Sequence, residues 1–173
     1  MFDRIKSIWR TNQKEGEAAI VQRDLLSMRA GDILTYDLED YQVEGVTIYR
    51  NGALVKKGYV LKNGSVVRYL TVEQKESVRA YLYETLDARL EHPDEINHEM
   101  IYEDTSYFEA VRGEASVNVQ GKSPFNTYDM VYWWQHLADD GRAMLFEWQS
   151  GEIVIRIGQP IKQNECRILA GSE

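Results

Sequence analysis

From Asp32 to Leu169 the chain alternates apolar and polar residues in short runs, and glycine-centred turn signals separate the runs. Four stand out: Arg50-Asn51-Gly52-Ala53, Lys62-Asn63-Gly64-Ser65, Asp139-Asp140-Gly141-Arg142 and Gln149-Ser150-Gly151-Glu152. Asn-Gly and Asp-Gly tolerate the positive φ angles of tight hairpins, so this spacing predicts an antiparallel meander. The expected class is all-β, with two sheets packed as a sandwich or a partly open barrel, and a short N-terminal helix ahead of them.

Counting outward from the turns assigns registers. A two-residue Asn51-Gly52 loop sets Val43 opposite Val60, Gly45 opposite Gly58 and Ile48 opposite Val55. The Asn63-Gly64 loop then brings Tyr69 beside the two glycines, where a ring can cover residues without side chains. Val78 to Leu86 fits both a helical and an alternating pattern, and Tyr81 and Tyr83 tip it toward a strand. After a polar connection containing Pro93, strands are predicted near Met100 to Tyr102, Tyr107 to Arg112 and Ala115 to Gln120. A loop at Asp140-Gly141 pairs Leu137 with Met144, Gln135 with Phe146 and Trp133 with Trp148, and the Ser150-Gly151 turn adds Ile157, Ile155 and Ile153 to those rows. That face reads as core.

The amino-terminal ten residues set Phe2, Ile5 and Trp9 on one helical face with Ile8 beside them. They form a candidate docking helix for a membrane surface or a partner, and a polar spacer carries the chain to about residue 21. A β domain follows over residues 22–170, as one unit or as two similar subdomains, 22–90 and 98–170.

With a formal net charge of −8 and no basic stripe, nucleic acid is excluded as a partner. The single cysteine, Cys166, cannot close an internal disulfide and reads as a small buried hydrophobe in a reducing compartment. No apolar run reaches transmembrane length, so the expected location is cytoplasmic, with any membrane contact peripheral to its inner face. His92, His98 and His136 lack metal-ligand spacing, no Gly-x-Ser-x-Gly elbow or phosphate loop is present, and neither a metal nor a cofactor is expected.

By the register count, the face opposite the Ile153/Ile155/Ile157 rows carries Tyr132, Trp134, His136, Glu147 and Arg156. Two large rings beside an acid, a base and an imidazole make the candidate binding patch. Against this stands ordinary sheet stabilisation, in which Glu147 pairs diagonally with Arg156. No catalytic residue is assigned, and the sequence fixes no oligomeric state.

Several short pieces resemble the bacterial family known as domain of unknown function 4178. They are Leu25-Leu26 leading to Gly31-Asp32-Ile33, Asp40-Tyr41-Gln42-Val43-Glu44-Gly45, Tyr69-Leu70-Thr71-Val72-Glu73, Gly113-Glu114-Ala115, and Phe146-Glu147 followed by Gly151-Glu152-Ile153. The chain departs from its relatives at Lys56-Lys57-Gly58, where an aromatic and an acid are usual, and at Tyr69, where a Trp is usual. The resemblance implies a bacterial β domain whose relatives are often encoded near membrane-stress or aminopropyltransferase-like genes, and hence an accessory role. Two functional expectations stand: a non-enzymatic module binding a protein partner, or a small-molecule binder or enzyme with a pocket lined by Tyr41, Tyr59 or Tyr69.

Overall fold

A computed structural model describes residues 22–172. Eleven strands run β1 (Ile33–Tyr36), β2 (Glu39–Arg50), β3 (Val55–Asn63), β4 (Val66–Gln74), β5 (Val78–Thr85), β6 (Glu99–Tyr102), β7 (Thr105–Gly121), β8 (Met130–Leu137), β9 (Ala143–Gln149), β10 (Glu152–Ile161) and β11 (Cys166–Leu169). The predicted strand over 78–86 is β5. The helix expected over Met1–Arg10, with Phe2, Ile5, Ile8 and Trp9, lies outside the described residues.

The architecture is a closed barrel and not a sandwich. All pairings are antiparallel, and β2-β3-β4-β5-β10-β9-β8-β7 form a ring that shuts where Gly45–Arg50 of β2 pairs with Ser116–Gly121 of β7. Strands from both sides of the Pro93 connection therefore share one sheet. Closure is local and depends on glycine. The carbonyl oxygen of Lys122 passes so near Gly45 that a Cβ there would lie 1.8 Å from it, and a bulge at Glu44 turns β2 out of the seam. The first half of β2 is thereby freed to pair with β1, which pairs with β11.

β7 runs 17 residues without a break and passes straight through Gly113-Glu114, joining the two strands predicted near Tyr107 to Arg112 and Ala115 to Gln120. Its length lets it pair with β6, β8 and β2 in succession. Gly113 is there for space, since the six-membered ring of Trp133 would lie 2.4 Å from a Cβ at that position.

Apolar residues that point outward are roofed on two sides. Tyr59, Leu61, Leu70, Val72 and Leu82 pack under Leu25, Met28 and Leu34, each such burial worth about 1.5–3 kcal/mol. On the far side Met144, Phe146 and Ile155 pack under Leu86, Leu90, Ile96 and Met100 of the β5–β6 connection and β6. The barrel wall is thus apolar on its outer face over much of its area. That leaves its inner face free to carry polar chemistry.

Candidate functional site

Three hairpins decide which side chains enter the barrel. At the first Tyr49 pairs with Lys56 and at the second Asn63 pairs with Val66, so both loops are displaced by two residues from the sequence count. A two-residue displacement preserves the alternation, and Gly45 and Gly58 still share one face. That face is the interior. Tyr69 does cover Gly58, whose Cβ would fall 2.0 Å from the phenol oxygen, whereas Gly45 lies against Lys122.

At the third turn the displacement is one residue. Ala138 N–H donates to the Arg142 carbonyl, closing a three-residue loop of Asp139, Asp140 and Gly141, with Gly141 at φ +88°. Trp133 consequently pairs with Glu147, and Trp134 with Phe146. An odd slip exchanges the faces of a strand, so it separates the candidate patch into two groups. Tyr132, Trp134 and His136 point outward from β8, while Glu147 and Arg156 point into the barrel.

The outward group is partly covered. His136 is fully buried, bonded through Nε2 to the Asn97 carbonyl at 2.8 Å, with its ring edge-on to Phe146, and burial holds its pKa below the ordinary value. Trp134 packs into the outer layer under the β5–β6 connection. Tyr132 lies against Trp148 at 5.3 Å, both half-buried.

The inward group belongs to a polar cluster in the barrel. Glu147 is 0% exposed and Arg156 2% exposed. Arg156 Nη1 donates to Glu147 Oε1, Tyr49 donates to Glu147 Oε2 at 2.5 Å, and the Tyr49 and Tyr69 hydroxyls meet at 2.7 Å. The Arg156 guanidinium lies 4.0 Å from the centre of the Tyr69 ring. Both carboxylate oxygens thus have charge-assisted or phenolic donors, which is what lets a buried pair persist. Burial, reinforced by the Glu147 charge, pushes the Tyr49 and Tyr69 phenols far above their ordinary range, and both remain protonated donors.

Lys56 is the exception in this interior. It is 6% exposed, and among the described residues its ammonium makes neither a hydrogen bond nor an ion pair. Its ammonium stands over the Trp133 ring at 3.9 Å and the Tyr49 ring at 5.0 Å. Burial lowers its pKa from 10.5 to about 8, against the pull of Glu147 and Glu73. Lys56, Trp133, Tyr83, Leu145 and Gln135 line a cavity of about 220 Å³ whose rim carries the exposed Lys75, Arg79 and Ala110. A second cavity, of about 260 Å³, opens at the other end past Tyr69, Arg156, Val60 and Pro124. Of the tyrosines expected to line a pocket, Tyr69 does so, while Tyr41 and Tyr59 are buried in the outer layer.

Lys56, Trp133 and Tyr83 are absent from the sequence-derived site. The Asn51-Gly52 count already set Gly58 on the face of Gly45, and Lys56, two residues before Gly58, shares it. A charged residue on an inward face was the available signal.

A family model described as "Domain of unknown function (DUF4178)" matches residues 29–163. The chain belongs to this family. The DUF4178 region takes in all eight barrel strands and both mouths, and only β11 falls wholly beyond it. An "Uncharacterized protein" of Aquifex aeolicus (strain VF5) is 24% identical over 170 residues, covering 95% of this chain and 94% of that protein. No solved structure matches the chain.

Proposed function

We propose that this protein is a small-molecule-binding barrel whose ligand enters the mouth between Tyr81, Tyr83 and Trp133. The observation that carries this reading is the cavity floored by Trp133, Leu145 and Lys56. An eight-stranded barrel is just wide enough to be filled by side chains or to hold one small ligand. Here glycine at 58, 113 and 158 makes room on the inner wall for the rings of Tyr69, Trp133 and Tyr83. Aromatic walls with a few polar groups, here Thr71 and the Gln135–Tyr83 hydrogen bond at 3.0 Å, are the usual make-up of a ligand pocket.

The test is a titration with 2-naphthamide, a neutral aromatic probe, followed by backbone and indole N–H resonances. Saturable shifts are expected at the Trp133 indole and the Leu145 amide. Shifts confined to the outer residues Tyr132 and Trp148, or none at millimolar probe, reject the reading.

A protein-partner role retains one supporting observation, the adjoining half-buried rings of Tyr132 and Trp148 with Met130 exposed on the same face. It would be favoured if Trp148→Ala abolished capture of a neighbouring gene product while leaving probe binding intact.

A further inference from the structure

We propose that the ligand of the Lys56 mouth is an anion, a carboxylate or comparable oxyanion on an aromatic body, whose charge is neutralised by the Lys56 ammonium. This rests on the ligand-binding reading above and specifies its chemistry.

Lysine is almost never fully buried without a partner, because moving an ammonium out of water is costly unless a counter-charge or hydrogen bonds replace the solvent. The other buried charges in the barrel come closer to this. Glu147 accepts from Arg156 and from Tyr49, and of the Arg156 donors Nε is left without a partner. The Lys56 ammonium has only aromatic faces beneath it, and faces supply attraction from one side alone. Its remaining donors have no protein partner among the described residues and border the cavity.

Charge around the mouth points the same way. Glu73 is the one acid among the lining residues, and it turns to Lys75 at 3.7 Å. Arg79 has no ion pair among the described residues. Lys56, Lys75 and Arg79 thus outnumber the single acid of the lining in a protein of net charge −8, so the mouth is a local reversal of the overall field. Tyr81 and Tyr83, stacked at 6.1 Å, and Trp133 provide flat walls for the body of such a ligand.

The groups facing Lys56 are Tyr49 from β2, Thr71 and Glu73 from β4, Arg79 from β5, Trp133 from β8 and Glu147 from β9, with Lys75 on the turn between β4 and β5. Glu147 and Glu73 favour the ammonium, while burial and Lys75 oppose it. With the resulting pKa of about 8, Lys56 is charged below that pH and loses its proton above it.

The experiment compares 2-naphthoate with 2-naphthamide, equal in shape and different in charge, on the full chain and on Lys56→Met. At pH 7 the wild-type protein should bind naphthoate at least ~10-fold tighter than naphthamide, and Lys56→Met should erase that preference while still binding naphthamide. Between pH 7 and 9 naphthoate affinity should fall ~10-fold as Lys56 deprotonates, with naphthamide unchanged. Equal binding of the two probes, or a preference that survives Lys56→Met, overturns the anion assignment and leaves the cavity reading intact. Failure of both probes overturns both.

Discussion

Replacing Lys56 with methionine should stabilise this protein at neutral pH, although the substitution removes a buried residue's only charge. Methionine keeps the unbranched stem and a polarisable end over Trp133 while removing the ammonium. The lowering of the Lys56 pKa from 10.5 to about 8 is the net of burial and Lys75, which disfavour the charged form, against the pull of Glu147 and Glu73. At about 1.4 kcal/mol per unit, that is ~3 kcal/mol against folding at pH 7. The aromatic faces of Trp133 and Tyr49 return ~1 kcal/mol to the ammonium, so the expected net gain is ~2 kcal/mol.

The sign and pH window follow from linkage. Because the folded pKa is the lower one, the unfolded chain binds the extra proton between pH 8 and 10.5, and wild-type stability rises with pH through that window. The advantage of Lys56→Met should therefore shrink by ~1 kcal/mol between pH 7 and pH 9. Urea unfolding of both proteins at pH 7, 8 and 9 measures the difference directly, and other titrating groups largely cancel. In a chain of this size a gain of ~2 kcal/mol corresponds to a rise of roughly 4–8 °C in Tm. A variant less stable than wild type at pH 7, or a gain flat across pH, would refute the argument.

Other consequences are sharper because they concern satisfied groups. Glu147→Gln and Arg156→Met should each cost about 3–5 kcal/mol in denaturant unfolding, since each strands a buried charge, and the double variant should cost at least ~2 kcal/mol less than their sum. Gly113→Ala should cost about 1–3 kcal/mol through overpacking and shift the Trp133 signal in near-ultraviolet circular dichroism, because the new methyl meets the indole. His136 has a folded pKa below its ordinary value, so stability should decline as pH falls through about 6.5, where only the unfolded state takes up the proton. Amide exchange at Asn97 and His98 reports this, and a slope persisting in His136→Gln would count against it.

The alternation along the chain made the strands legible, including β5, where Tyr81 and Tyr83 outweighed a helical spacing. What it could not carry was the parity of one loop. Asp139-Asp140-Gly141 reads equally as a two-residue and a three-residue turn, because Gly141 takes positive φ in either. The two choices place Trp133 and Trp134 on opposite faces. Closure was hidden for a related reason. It depends on the Glu44 bulge and the approach of Lys122 to Gly45, contacts between segments more than 70 residues apart that leave no periodic trace. Strongly apolar outer faces also invert the usual inference. Ile153 and Ile155 mark the outside of the barrel, roofed by the β5–β6 connection, and the polar residues facing away from them line its interior.

The two classes of buried charge in this barrel call for different explanations. Glu147, Arg156, Tyr49 and Tyr69 form a set in which almost every strong donor and acceptor is used, and such a set specifies how four strands register against one another whether or not anything binds. Lys56 specifies nothing comparable. An isosteric apolar residue would fill its place over Trp133, and the linkage argument holds that the fold would be more stable for it. A group that lowers stability and borders a cavity is where a trade between stability and function is expected. The decisive pattern is therefore a joint one: Lys56→Met gaining stability at pH 7 and losing the preference for naphthoate in the same protein. A gain in stability with no change in binding would identify Lys56 as a tolerated defect. Loss of both would mean that the ammonium has a structural partner in the fold itself.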